Sequence, residues 1–203
     1  RDIEVVKAIR KEFGDIPLTV DANSAYTLKD IDLFRAMDEY HLQYIEQPLG
    51  EEDIVDHAEL QKAIETPVCL DESIVSYEAA EAAIRLGSCK VINIKSSRCG
   101  GVYEGKRIHD LCVAHGIPVW CGGMTELGIG RAQNVSFASL PGFTELAHDV
   151  AAAARYFEED ITSPMVDITD RCTIVVPDEE NGIRYDVDEK QIDKMEAGHW
   201  IFK

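Results

Sequence analysis

Four short apolar runs in this chain each end on an ionisable side chain, and the ends recur at nearly constant spacing. Asp21 follows Leu18-Thr19-Val20, Glu46 follows Leu42-Gln43-Tyr44-Ile45, Asp71 follows Pro67-Val68-Cys69-Leu70, and Lys95 follows Lys90-Val91-Ile92-Asn93-Ile94. Successive ends lie 25, 25 and 24 residues apart. That interval holds one strand and one returning helix, so the pattern predicts βα units and a parallel sheet. Strands are expected over 16–20, 42–45, 67–70, 90–94 and 117–121, with a shorter sixth over 144–147. Amphipathic helices are expected over 26–40, 54–64, 77–86, 102–114 and 130–140.

Two parallel architectures compete, an open doubly wound sheet and a closed (β/α) barrel. A barrel brings every strand C-terminus to one face, whereas an open sheet gathers ligand groups at one switch point. Four successive strand ends carrying charge favour the barrel, and no G-x-G-x-x-G follows the first strand. The fold class is therefore α/β, an incomplete (β/α) TIM-type barrel with about six of the eight strands. The chain opens directly in a helical pattern, with Val5, Val6, Ile9 and Phe13 on one face and no Met before it. It is expected to begin in the middle of something larger and, alone, not to form a stable, active monomer.

The expected organisation is a partial barrel over 1–150 and a C-terminal segment over 151–203. In the latter, 172–176 and 182–187 alternate apolar and polar residues around an acidic loop at 178–181, the pattern of a hairpin appendage, and 191–195 reads as a last short helix.

Twenty Lys and Arg against 38 Asp and Glu give a net charge of −18, which argues against nucleic acid or an anionic membrane as partner. No apolar run approaches the roughly 20 residues of a membrane span. The six cysteines form no C-x-x-C pair, and Cys69 and Cys121 sit inside apolar runs as core residues. Reduced thiols without a signal peptide predict a cytoplasmic protein.

Asp21, Glu46 and Asp71 on neighbouring strand ends would repel one another unless a cation joined them. Three hard oxygen ligands suit Mg²⁺, or Mn²⁺, better than Zn²⁺. The competing reading has each acid capping a helix or pairing with an Arg. Lys95, on the next strand end, is the candidate base; the competing reading is a structural ion pair. A cation plus a lysine suits removal of the α-proton of a carboxylate substrate, with the cation holding the enediolate charge.

The strings VDAN at 20–23, YIEQPL at 44–49, CLDES at 69–73, VINIK at 91–95 and WCGGMTELGIGRA at 120–132 resemble the enolase superfamily. They are most similar to its o-succinylbenzoate synthase and N-acylamino acid (N-succinylamino acid) racemase family, in the muconate-lactonising subgroup. The resemblance runs from residue 1 to about 176. It implies that Asp21, Glu46 and Asp71 are Mg²⁺ ligands and Lys95 one of two catalytic lysines. It further implies that Asn23 and Glu72 stand behind the ligands, that Glu126 lines the site, and that Gly122, Gly123 and Met124 border an acyl-group pocket. The opening of the next helix, residues 128–131, would offer backbone N–H groups to a substrate carboxylate. The implied outcome is dehydration to o-succinylbenzoate, a step of menaquinone biosynthesis, or racemisation of an N-acylamino acid, in a complete enzyme expected to be a homo-oligomer. A catalytically incomplete fragment, a dipeptide epimerase with Asp149 as the amino-group ligand, and a muconate cycloisomerase are the alternatives.

The sequence departs from the family at three places. The K-x-K strand and the capping domain are absent from it. The usual K-P-G-R-x-G-G is Lys95-Ser96-Ser97-Arg98-Cys99-Gly100-Gly101 here, and the acidic loop at 178–181 replaces Gly-Pro-Gly. His41, His57, His109, His115 and His199 fall away from the strand ends and read as packed or solvated residues.

Overall fold

Side chains along a strand alternate between its two faces, and in the main sheet both faces are buried in every strand but the first. The computed structural model describes residues 1–143, 146–176, 185–196 and 198. Five strands, β1 (Thr19–Asp21), β2 (Tyr44–Glu46), β3 (Val68–Leu70), β4 (Val91–Ile94) and β5 (Val119–Cys121), form one sheet in the order β1-β2-β3-β4-β5. All four pairings are parallel. Spatial order follows chain order without reversal, as in a barrel and unlike a doubly wound sheet. The fold is an incomplete TIM-type barrel.

Helices α1 (Asp2–Phe13), α2 (Ile31–Met37), α3 (Val55–Ala63), α4 (Tyr77–Leu86), α5 (Val102–Ala114) and α6 (Gly128–Ala138) alternate with the strands. Ile45, Val68, Leu70, Ile92, Ile94 and Val119 face the helices and join Leu60, Ala83, Ile108 and Phe137 in the main core. The opposite face holds a second cluster of Tyr44, Cys69, Val91 and Trp120. Tyr44 and Trp120 stack there with centroids 6.0 Å apart, and the indole N–H reaches Cys69 Sγ at 3.4 Å. This layer forms the floor beneath the strand C-termini.

Local chemistry sets the element ends. Ser76 accepts a hydrogen bond from the Ala79 N–H (3.2 Å) at the start of α4, and Gly87 closes it in the left-handed region. The expected helix over 26–40 is a continuous helical run over 28–40, with 3₁₀ turns at Leu28–Asp30 and Asp38–Tyr40 on either side of α2. Aspartate side chains hold both ends of this run. Asp30 accepts from the Thr27 N–H at 3.0 Å, and Asp38 accepts from the N–H groups of Glu65 and Thr66 at 3.0 and 2.8 Å.

Two expectations are corrected. Of the proposed sixth strand, Thr144 and Glu145 lie outside the described residues and 146–147 are not in a strand. The chain returns beside β5 only at an isolated bridge between Gly122 and Asp149, with the Asp149 N–H on the Cys121 carbonyl at 3.1 Å. A side chain at Gly123 would stand 2.8 Å from the Asp149 carbonyl oxygen, so this approach needs glycine. The hairpin of 172–176 with 182–187 is also not formed as expected. Residues 177–184, which include the loop at 178–181, lie outside the described residues. No strand occurs over 172–176; Ile174 packs instead against Ala132, Val135 and Val166 beside α6. The pairing actually made is antiparallel, between β6 (Thr162–Ser163) and β7 (Asp186–Val187). Helix α7 (Glu189–Met195) follows. Among the described residues no helix is long and apolar enough to cross a membrane.

The loop from β4 to α5 turns on Gly100 (φ 94°) and Gly101 (φ 121°, ψ 175°). The second conformation is essentially reserved for glycine. A Cβ on Gly101 would meet no atom within 4 Å, so only the backbone forbids a side chain. Gly101→Ala is expected to cost about 1–3 kcal/mol in denaturant unfolding of the full-length protein; an unchanged midpoint would contradict this reading of the turn.

Candidate active site

The pleat aims one set of side chains past the Tyr44–Trp120 floor. Glu46 is two residues beyond Tyr44, Asp71 two beyond Cys69, and Asn93 and Lys95 two and four beyond Val91. Asp21 is level with Glu46 in the sheet register. Lys95 Nζ donates to Asp71 Oδ2 at 2.8 Å, and Asn93 Nδ2 donates to Glu46 Oε1 at 2.9 Å. Arg98 Nη1 donates to the other Asp71 oxygen, Oδ1. Asp71 is 1% exposed and Glu46 7%, so both carboxylates sit at the bottom of the mouth.

Burial pushes the Glu46 carboxyl up to about 7. The Asn93 hydrogen bond opposes that rise, the negative charges of Asp21 and Asp71 add to it, and Lys95 reduces it. Glu72 stands beside Asp71, and its pKa is raised by burial and by the Asp71 charge. Asn23 adopts φ 42° and wraps Asp21, its N–H and Nδ2 donating to the two carboxylate oxygens at 2.9 and 2.8 Å. Gln47 fixes the ends of β2 and β3 together. Its Oε1 accepts from the Asp71 N–H (2.9 Å) and its Nε2 donates to Ser73 Oγ (2.8 Å).

The donor set fits a hard divalent cation: three carboxylates from consecutive strand ends, with like-charge repulsion that a cation would relieve. The side chains do not yet close around a point. Among the described residues no group of three or more His, Cys, Asp or Glu side chains is gathered tightly enough to hold a metal ion. Both oxygens of Asp71 already accept from cationic side chains, Lys95 on one and Arg98 on the other, so a cation there would compete with them for the same charge.

Gly122 makes room for the lysine. A Cβ there would come within 2.7 Å of Lys95 Cε and 2.6 Å of Asn93 Nδ2. Glu126 turns back on its own loop, both oxygens accepting from the Met124 N–H at 2.8 Å, and Asn134 Nδ2 donates to its Oε1 at 2.9 Å. At the start of α6 the Gly128 N–H is taken by Asp160 Oδ1 at 2.8 Å. That donor, expected to serve a substrate carboxylate, serves the tail instead. Asp149 lies at the bridge to Gly122, and its charge contributes to raising the Tyr44 pKa.

The model of the family described as enolase C-terminal domain-like matches residues 1–191. The chain belongs to the enolase C-terminal domain-like family. It is 53% identical over 193 residues to an o-succinylbenzoate synthase of Geobacillus stearothermophilus, covering 95% of this chain and 51% of that protein. It is 56% identical over 166 residues to an N-succinylamino acid racemase of an Amycolatopsis species, covering 81% of this chain and 45% of that one. A crystal structure of an unknown member of the enolase superfamily from Enterococcus faecalis V583 superimposes with a TM-score of 0.89 at 43% identity, over 95% of this chain and 52% of that one. The chain spans about half the length of the curated relatives it matches.

Within this enolase-type face, sequence reasoning passed over Asn93 and gave Arg98 no role. The period-2 alternation of Val91-Ile92-Asn93-Ile94-Lys95 already places Asn93 beside Lys95. Arg98 carries no such signal, because the turn that returns it to Asp71 depends on Lys95 O accepting from the Arg98 and Cys99 N–H groups (2.9 and 3.1 Å). Among the described histidines His57 and His109 are buried and His148 is partly buried, while His41 and His115 are exposed. His57 Nε2 accepts from the Leu49 N–H at 3.0 Å, His148 Nδ1 from the Cys121 N–H at 3.1 Å, and burial lowers both pKa values. His199 lies outside the described residues. Cys69, Cys89, Cys99, Cys112 and Cys121 are buried and free, Cys172 exposed and free.

Two predictions follow from this geometry. Gly122→Ala must displace Lys95 or Asn93, so it is expected to abolish any lysine-dependent activity while costing about 1–3 kcal/mol of stability; full activity with an unchanged fold would contradict the packing. The second concerns pH. An unfolded Glu46 ionises near its ordinary 4.5 and the folded one near 7. Stability from this group is thus complete below pH 4.5 and is lost as pH rises through 7, about 3 kcal/mol in all. Glu46→Gln in the metal-free full-length protein is expected to stabilise at pH 8 and to change little at pH 4; parallel pH curves for the two proteins would refute it.

Proposed function

We propose that in the full-length protein this chain supplies most of the catalytic face of an enzyme that removes the α-proton of a small carboxylate substrate. The product is either o-succinylbenzoate, by dehydration, or the opposite enantiomer of an N-acylamino acid, by racemisation. The observation that carries this reading is the Lys95–Asp71 contact at two neighbouring strand ends, with Glu46 and Asp21 level on the next two, in a chain more than half identical over 193 residues to an o-succinylbenzoate synthase. Asp21, Glu46 and Asp71 would hold Mg²⁺, or Mn²⁺. When bound, the cation supplies Lewis-acid withdrawal from the substrate carboxylate, which makes the α-proton more acidic.

The remaining work falls to the chain's own groups. Lys95, four residues above the floor and largely withdrawn from water at 17% side-chain exposure, is the group that takes or returns the α-proton at Nζ. Gly122 lets its stem lie against β5 and so fixes the direction of approach. Arg98 keeps one oxygen of Asp71 oriented while the other is free to change partner. Tyr44 and Trp120 close the bottom of the site to water. In this reading Met124 and Gly123 border the acyl group, and residues 151–203 return toward a capping domain contributed by the rest of the protein.

The test is exchange of the substrate α-proton with deuterium oxide, followed by NMR on N-succinylamino acids and on the dehydration substrate. Wild-type full-length protein with Mg²⁺ is expected to exchange or dehydrate, and chelation to stop both. Lys95→Ala is expected to lower the lysine-dependent step about 10²–10⁴-fold. Full rates on both substrates after Lys95→Ala, or after complete metal removal, would contradict the proposal.

A further inference from the structure

We infer that Asn134 is a positioning residue: with Ser96 it locks Glu126, and so the Gly122–Glu126 loop, in fixed relation to the loop that carries Lys95. The inference rests on the reading above in one respect, that this loop borders the substrate's acyl group.

Asn134 lies inside α6 and is 2% exposed; Ser96 is 1% exposed. Ser96 Oγ donates to Asn134 Oδ1 at 2.9 Å and accepts from Gln133 Nε2 at 3.3 Å. Asn134 Nδ2 donates to Glu126 Oε1 at 2.9 Å, and the Glu126 carboxylate holds the Met124 N–H. The polarity of this relay is fixed from the carboxylate end. A reversed amide would set Oδ1 against the negative Glu126 oxygen and lose the bond. The chain of bonds thus runs from the first residue after Lys95, across α6, to the loop after β5.

A buried asparagine is costly unless both ends of its amide are used. Asn134 spends both ends on loops from two different strands and neither on its own helix. Close packing reinforces the lock, because a Cβ on Gly130 would press on Glu126 Cβ and Cγ at 3.2 Å. Arg131, also buried, holds the Glu126 carbonyl at 2.6 Å and the Ala151 carbonyl. The Glu126 backbone is therefore anchored independently, and loss of Asn134 frees chiefly the side chain and the Met124 turn. Ser96 stands where the family pattern carries proline, which has no hydroxyl, so the relay depends on the serine side chain.

The experiment compares Asn134→Ala, Ser96→Ala and Ser96→Thr in the full-length protein. With an N-succinylamino acid, Asn134→Ala is expected to raise KM about tenfold and change kcat less than about twofold, because the acyl border loosens while Lys95 stays in place. Ser96→Ala is expected to raise KM about threefold, Ser96→Thr to restore it, and the double variant to be no worse than Asn134→Ala alone. Hydrogen exchange supplies a readout that needs no activity: the Met124 amide is expected to exchange about tenfold faster in Asn134→Ala, with helix α4 unaffected. Unchanged Met124 exchange, additive effects in the double variant, or equal losses in Ser96→Ala and Ser96→Thr would overturn the inference. If the wild-type protein turns over no substrate, the proposed function fails and Met124 exchange alone decides this one.

Discussion

A carboxylate buried as deeply as Asp71 needs polar partners to replace the water it has lost. Here Lys95 and Arg98 do so, one on each oxygen, and the Asp71 N–H is held in turn by Gln47. This three-way meeting joins the ends of β2, β3 and β4. It also fixes the state of the site, because the residue best placed to ligate a cation is already neutralised by the residue best placed to move a proton. A cation at Asp71 would compete with Lys95 for the same carboxylate charge. Glu46, whose carboxyl burial pushes up to about 7, and Asp21, wrapped by Asn23, are the other two carboxylates a cation would meet.

The rest of the mouth is arranged around that meeting. The floor of Tyr44, Cys69, Val91 and Trp120 sets the level from which the charged side chains rise. Absent side chains matter as much as present ones: Gly122 leaves the volume through which Lys95 passes, and Gly100 and Gly101 give the turn that leads from Arg98 into α5. On the far side of Lys95 the tail takes part, with Asp160 at the start of α6 and Arg131 on the Ala151 carbonyl. The tail thereby braces the loop after β5.

Much of this was legible in the sequence. The helices over 77–86 and 102–114 are found at Tyr77–Leu86 and Val102–Ala114, because Ser76, Gly87 and Gly101 punctuate them. The strand ends were legible because each apolar run stops at a charged residue. What was not legible depends on where loops return. Arg98 reaches Asp71 only through a turn whose shape its own residues do not announce. Asp160 caps a helix that begins 32 residues earlier. Alternation at 172–176 signalled a two-sided segment, but periodicity cannot name a partner, and the segment packs on α6 while Thr162–Ser163 pairs with Asp186–Val187. The helix over 26–40 is found as one helical run over 28–40, starting at the Thr27 cap and tightened to 3₁₀ in its first and last turns.

The account turns on Asp71 being shared between Lys95 and a cation. Calorimetric titration of Mg²⁺ into the full-length protein and its Lys95→Met variant tests this directly. Removing an ammonium 2.8 Å from Asp71 takes away a competitor for the same oxygen. The account predicts at least about tenfold tighter Mg²⁺ binding to Lys95→Met. Binding that is unchanged or weaker in the variant would show that Lys95 does not compete with the cation for Asp71, and would contradict this reading.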